Sequence, residues 1–189
     1  LSRLGYKITV LEKNPTHNLK KNHKDFRTVA ISEGTKIFLD KIALWDQIKK
    51  FAEPIKRINI VDRKITNFLE FDNKRRSSNL GYIVKNKNLL SILYKNIQSK
   101  ENIKLLNNTN IVSINNNKNL VSILTDNCLI TSGLNIAADG KKSLIRKFLK
   151  IPVFNKNYKK NALVLTITHN KDHKNKAFEF FYKNGPLAI

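Results

Sequence analysis

The chain of 189 residues has a single cysteine, Cys128, and no methionine. One thiol excludes an internal disulfide framework and fits a reducing, cytoplasmic setting. Glycine (six) and proline (four) are scarce, which excludes collagen-like and Pro/Gly low-complexity architectures. Acidic residues number 14 against 36 Lys and Arg, for a formal net charge of +22. No two of the carboxylates are placed for glycosidase-like acid–base work, and no G-x-S-x-G nucleophile elbow occurs. No apolar run approaches the roughly 20 residues needed to span a bilayer. Aromatics make up only 8% and do not interleave with the basic residues, as they would on a nucleic-acid surface.

What is present is a 41% hydrophobic content, enough to build a core and to exclude wholesale disorder. Lys, Asn and Ile are used heavily, and Lys is preferred over Arg. The basic charge is scattered rather than gathered in one block, so compositional drift explains it better than a nucleic-acid partner. A weak attraction to anionic lipid is compatible with it. The chain opens at Leu1 inside an apolar pattern and closes on Gly185-Pro186-Leu187-Ala188-Ile189, which reads as a strand beginning. Both ends are therefore expected to be cuts.

Leu1 to Leu4 read as a last helical turn stopped by Gly5. Tyr6 to Glu12 is a short apolar strand ending on an acid, which makes the second half of a βαβ unit. Asn14 to Lys24 is a polar loop. Helical spacing predicts helices over Ile31–Leu39 and Leu44–Phe51, and alternation predicts a strand over Ile55–Val61 that Phe68–Phe71 can pair with. A charged loop over Asp72–Asn79 and a strand over Leu80–Val84 follow. An amphipathic helix then carries Leu89, Leu90, Leu93 and Ile97 on its apolar face. Four meander-like strands, at 103–106, 111–114, 121–124 and 129–130, are separated by Asn-rich turns. Leu134–Ala138 reads as a buried strand running into Asp139-Gly140, then a helix through Leu149. Beyond Pro152, strands are expected over Ala162–Thr168 and Ala177–Tyr182, with a basic hairpin between them. The domain reading is 1–151, with an inserted segment around 54–84, followed by 152–189.

Glu12, at the carboxyl end of a Rossmann-type strand, is placed to accept hydrogen bonds from ribose hydroxyls, although a solvated strand end has the same sequence. Arg27 follows Asp25-Phe26, and its planar fork suits a phosphate, while a surface ion pair is the plainer reading. Asp139-Gly140-Lys141-Lys142-Ser143-Leu144-Ile145-Arg146 is the sharpest signal. An apolar strand delivers an Asp, Gly lets the backbone turn close to a ligand, and a helix follows; an ordinary Asp-Gly turn is the alternative. His169 and His173, spaced i, i+4, lack a third ligand and read as solvated turn residues, so no metal site is expected. Cys128 reads as a small core residue.

Taken in order, these segments resemble the flavoprotein aromatic hydroxylases, most closely those of ubiquinone biosynthesis. Lys7-Ile8-Thr9-Val10-Leu11-Glu12-Lys13 is similar to their second strand with its ribose-binding acid. Asp25-Phe26-Arg27-Thr28-Val29-Ala30-Ile31-Ser32 is similar to their D-x-R-x-x-A-L-S segment. Leu44-Trp45-Asp46, Pro54-Ile55 and Asp62-Arg63 fall where that family has short signatures. Leu80 to Asn86 resembles its G-Y-V-V-E-N strand, with Lys85 where Glu is frequent and Lys87 where Arg is frequent. Ala137-Ala138-Asp139-Gly140 with Ser143 and Arg146 is similar to A-D-G-x-x-S-x-x-R. His173 to Ala188 resembles H-x-x-x-A-x-E-x-F…G-P-L-A.

The resemblance implies an α/β fold: a Rossmann-like FAD-binding domain lacking its first strand and glycine-rich turn, joined to the start of an antiparallel substrate-binding sheet. It implies FAD as cofactor and NAD(P)H as co-substrate. Dioxygen would supply the oxygen inserted into the ring of a polyprenylated phenol in ubiquinone biosynthesis. The cofactor carries the chemistry, so no side chain is expected to be catalytic. Glu12 and Lys13 would meet the ribose, Arg27 and Asn86 the flavin side, and Asp139 and Gly140 the pyrophosphate. Gly185 and Pro186 would line the substrate side, and Arg146 would support the turn. The implied setting is peripheral to the inner membrane, alone or in a biosynthetic complex, with no nucleic-acid partner. Rival readings are a flavin-dependent isoprenoid reductase or oxidase on the same fold, and a non-enzymatic basic surface-binding module. The 189 residues by themselves are expected to be inactive.

Overall fold

The computed structural model describes residues 1–15, 25–62, 68–73, 78–117 and 119–189. The expectations for the rest of the loop up to Lys24, for Arg63, and for the middle of the 72–79 loop lie outside the described residues. In chain order the elements are β1 (Ile8–Leu11), β2 (Thr28–Ser32), α1 (Glu33–Lys41), α2 (Trp45–Ile48), β3 (Ala52–Ile55), β4 (Arg57–Asp62), β5 (Phe68–Asp72) and β6 (Gly81–Lys85). They continue with α3 (Asn86–Gln98), β7 (Ile103–Leu106), β8 (Ile111–Asn116), β9 (Val121–Thr125), β10 (Leu129–Ser132), α4 (Leu144–Phe148), β11 (Lys176–Tyr182) and β12 (Gly185–Ala188). Among the described residues no helix is long and apolar enough to cross a membrane. The chain forms two compact units, Leu1–Lys21 with Ile97–Leu163 and Asn22–Asn96 with Val164–Ile189. That division interleaves the sequence.

In the first unit β1 runs parallel to β7, with Ile8 beside Ile103 and Leu11 beside Leu106. Asn102 fixes the approach to this pair. Its side-chain amide donates to the carbonyls of Ser2 and Tyr6, at 2.8 and 2.9 Å, and its oxygen accepts from Ser2 Oγ. The sequence grouped 103–106 with the meander, but β7 belongs to the parallel pair. The antiparallel meander is β8, β9 and β10 alone. Ile123 and Thr125 are its buried residues, and α4 packs on β8.

Two expected strands do not form. Leu134–Ala138 and Ala162–Thr168 join no sheet, and Leu134, Ile136, Leu163 and Val164 are exposed. A strand exists only with a hydrogen-bonding neighbour, and no described strand runs beside either segment. Cys128, expected in the core, is exposed at the tip of the β9–β10 turn. There the Thr125 hydroxyl accepts from the backbone N–H groups of Asn127 and Cys128 and lies 3.6 Å from the Cys128 Sγ, so the turn is closed by Thr125.

The second unit holds the main core, built from Ile31, Leu39, Trp45, Ile48, Val84 and Ile92. Ile48 and Val84 are fully buried. Ser32 ends β2 and caps α1, its side chain accepting from Thr35 N–H at 3.2 Å, which satisfies one of the free donors of the first turn. In α3 the buried stripe runs through Leu89, Ile92 and Leu93, and Leu90 faces out. Leu90 sits about 100° round the helix from Leu89, so one face cannot hold both at full depth.

One sheet orders β2, β6 and β3, all antiparallel. The other orders β12, β11, β4 and β5. This second sheet is mixed rather than antiparallel throughout, because β11 runs parallel to β4 while the other two pairings are antiparallel. The more than one hundred residues between β4 and β11 supply the long crossover a parallel pairing needs. The hairpin in this region joins β11 to β12, and not the segment around Ala162–Thr168 to β11.

Candidate functional site

Glu12 stands immediately past the carboxyl end of β1. Its backbone N–H donates to the Leu106 carbonyl at 2.8 Å, and its carbonyl accepts from Thr109 N–H. The residue is thus pinned to the β7 side of the parallel pair. The backbone N–H and side-chain amide of Asn14 both donate to Glu12 Oε1, at 2.8 and 3.0 Å. Among the described residues nothing donates to Oε2. One carboxylate oxygen is therefore held and the other is available to accept from a ligand hydroxyl. Lys13 beside it is exposed.

Asp139 turns inward on its own loop. Its Oδ2 accepts from Leu144 N–H at 2.6 Å and from Ile145 N–H at 3.2 Å, at the start of α4. Burial pushes its pKa up, but hydrogen bonds from Ser143 and from the backbone of Ile145 and Leu144 outweigh that and hold the carboxyl below its ordinary value. Ser143 Oγ caps α4 by accepting from Arg146 N–H, and Arg146 Nη2 donates to the Lys141 carbonyl at 2.6 Å. Gly140 sits at φ +80, where other L residues are strained, and a Cβ there would meet no atom within 4 Å. Its face is open to a close-lying ligand. Residues 137–140, 143, 146 and 149 border an open depression of about 490 Å³. Asp139 shapes this turn with its carboxylate, and the backbone at Gly140 is the part left to meet a ligand.

The second unit draws Arg27 and Asn86 together through a residue that sequence reasoning left off the site. The Arg27 fork is bidentate on Asp25, Nε to Oδ1 and Nη2 to Oδ2, both at 2.8 Å. Asn86 Nδ2 donates to the same Oδ2 at 3.1 Å, and Asn86 N–H donates to the Arg27 carbonyl. The Asp25 side chain is 8% exposed and that of Arg27 69%. Hydrogen bonds from Arg27 and then Asn86 hold the Asp25 carboxyl well below the usual carboxylate range. Among the described residues Arg27 Nη1 has no partner, so an oriented donor faces outward. No local signal pairs positions 25 and 86; the β2–β6 ladder that brings Thr28 beside Lys85 does so.

Gly185 and Pro186 open β12, beside Tyr182 and Phe181 of β11. β12 is an edge strand, where a proline costs no ladder bond. His169 and His173 each accept, through Nδ1, a backbone N–H two residues on.

The sequence matches the family model described as the FAD binding domain over residues 1–184. It is 28% identical over 190 residues to the ubiquinone hydroxylase UbiL of Rhodospirillum rubrum, covering all of this chain and 44% of that protein. Identity to the ubiquinone hydroxylase UbiM of Neisseria meningitidis is 22%, covering 100% and 42%. Identity to the ubiquinone biosynthesis monooxygenase COQ6 of Drosophila melanogaster is 26%, covering 86% and 36%. The chain thus spans about two-fifths of the length of the curated relatives it matches. Among solved structures the fold is similar to PqsL, a probable FAD-dependent monooxygenase of Pseudomonas aeruginosa, with a TM-score of 0.68, 13% identity and coverage of 83% and 42%. It is also similar to the p-nitrophenol 4-monooxygenase PnpA of Pseudomonas putida, with a TM-score of 0.62, 18% identity and coverage of 78% and 38%.

Proposed function

The chain belongs to the FAD-binding domain family, and from that premise we propose that it forms part of a flavin-dependent monooxygenase. The substrate we assign is a polyprenylated phenol, hydroxylated on its ring during ubiquinone biosynthesis at the expense of NAD(P)H and dioxygen. The observation that carries the reading is the half-committed carboxylate of Glu12 at the end of a parallel strand. FAD, when bound, supplies the redox chemistry that no side chain can.

The protein's part is to bind and orient. Glu12 accepts from the ribose hydroxyls through Oε2 while Asn14 keeps Oε1 in place. Gly140 lets backbone approach the phosphates, and Asp139 and Ser143 keep that turn in shape. Arg27 offers a fixed N–H to an acceptor on the flavin side, oriented by Asp25 and Asn86. Gly185 and Pro186 lie on the substrate side of the ring. A lipid-tailed substrate places the work at the surface of the inner membrane.

The relatives named as ubiquinone hydroxylases support the substrate class, and the family supports the cofactor. The test is to load the complete gene product with FAD, record its absorbance, and follow NAD(P)H oxidation with a polyprenylated phenol. Retained flavin with a hydroxylated ring product upholds the proposal. A folded protein that cannot be loaded with FAD removes its foundation. Flavin with NAD(P)H oxidation but no oxygen in the ring removes the hydroxylase part alone.

A further inference from the structure

The first residues of β4 and β11 have no part in the flavin reading, yet they concentrate charge. The strand register sets Lys176 beside Arg57 and Arg57 beside Asp72. Three charged side chains therefore leave one face of the sheet in a row, at the ~4.8 Å spacing of neighbouring strands. Lys56 and Lys174, just ahead of the two strands, join them with Asn73 around a groove of about 360 Å³. Four cations line it against one carboxylate.

Like charges directly opposite on adjacent strands destabilise a sheet, so Lys176 beside Arg57 calls for a compensating anion. Arg57 has one: its Nε lies 3.6 Å from Glu70 Oε1 on β5. The three lysines have none. Among the described residues the ammonium groups of Lys56, Lys174 and Lys176 have neither an ion-pair nor a hydrogen-bond partner.

The backbone that presents them is nonetheless fixed. Lys56 N–H donates to the Asn175 carbonyl at 2.9 Å, and Lys176 N–H to the His173 carbonyl at 3.0 Å. Lys174 N–H donates to Asp172 Oδ1, and Asn175 N–H to His173 Nδ1. Lys174 and Asn175 both hold left-handed conformations, φ 50 and 54, which non-glycine residues keep only where surrounding bonds hold them. Elsewhere in the sequence the positive charge is dispersed; at this groove it converges on a pinned loop.

We infer that this groove is a binding site for a phosphate-type oxyanion, carried on a lipid headgroup or free in solution. An anion with several acceptor oxygens can accept from three ammonium groups at once, and each such bond is charge-assisted. Glu70 neutralises Arg57 and leaves the lysine side as the binding wall. None of these residues is assigned to the flavin, so the site stands or falls separately from the proposed function.

The experiment uses the full chain, two probes and matched variants. Inorganic phosphate is titrated at constant ionic strength, and co-sedimentation is measured on phosphatidylcholine vesicles with and without phosphatidic acid. The variants are Lys174→Gln/Lys176→Gln, Lys56→Gln alone at an exposed position, and a control, Lys95→Gln/Lys104→Gln, that removes equal charge elsewhere. Saturable binding to at least one probe is expected. It should weaken about tenfold or more in the double groove variant, the scale of a lost charge-assisted bond, and also fall in Lys56→Gln. The control should retain it. Groove-dependent binding of phosphate marks a free anion, and groove-dependent binding of vesicles alone marks a lipid headgroup; either upholds the site. Failure of the wild-type chain to bind either probe, or equal loss in groove and control variants, overturns it.

Discussion

Arg27 illustrates what a single carboxylate does for a cation. A long guanidinium side chain exposed to solvent ordinarily samples many rotamers. Here Asp25, almost buried, grips two of its nitrogens and is itself gripped by Asn86. The sign of the consequence for stability follows from the depressed Asp25 pKa. A carboxyl that is more acidic folded than unfolded contributes stability above its unfolded pKa of roughly 3.9, and that contribution is lost as the pH falls below it. Asp25→Asn should therefore lower the melting temperature at pH 7, and its melting temperature should fall less steeply between pH 5 and pH 3 than that of the wild type. Parallel curves for the two proteins would show that Asp25 carries no such linkage. The same substitution frees Arg27, so any Arg27-dependent flavin contact should weaken with it. Sequence reasoning found Arg27 by its motif and weighed the surface ion pair as the plainer alternative. The structure shows the pair is present and that Asn86 completes it.

At the scale of elements, sequence and structure agree where pattern and pairing are both local. The β8–β10 meander and α3 lie where alternation or helical spacing put them. They part where a strand depends on a distant neighbour. β7 is as apolar as the meander strands but pairs with β1, nearly one hundred residues earlier, and 134–138 and 162–168 have strand-like sequences without a neighbour among the described residues. Close packing is also invisible to periodicity. Gly81 reads as part of a strand motif, yet a Cβ at this position would come within 2.8 Å of the Ile31 carbonyl oxygen on β2. Because that oxygen is backbone, the strands must separate to admit a methyl group. Gly81→Ala should cost about 1–3 kcal/mol, measured by denaturant unfolding. In the same assay Ile48→Ala, a truncation at a site with no exposure, should cost about 2–5 kcal/mol. Phe38→Ala, at a largely exposed position on α1, should stay within about 0.5 kcal/mol. An unchanged midpoint for Gly81→Ala would mean that β2 and β6 shift apart without penalty.

For the molecule as a whole, the family was legible because six short motifs occur in the right order, although each is modest alone. What order could not reveal is how each motif's atoms are committed. Glu12 and Asp139 look equivalent in sequence, as acids closing apolar strands, but Asp139 is spent on the N–H groups of α4 while Glu12 keeps an oxygen available. The two acids should therefore respond differently when replaced. A ligand that binds only the folded state stabilises it by about 2.7 kcal/mol at a hundred times its dissociation constant, so FAD should raise the melting temperature in a dose-dependent way. Glu12→Ala removes an acceptor from the ligand and little from the fold. It should leave the melting temperature without FAD close to that of the wild type and require roughly tenfold more FAD for the same rise, as expected for one charge-assisted hydrogen bond. Asp139→Ala removes a helix cap and should cost about 1 kcal/mol before any ligand is added. Thermal melts across an FAD series separate the two effects, since one displaces the dose curve and the other its baseline. If Glu12→Ala moves only the baseline, its Oε2 is not where the ribose binds.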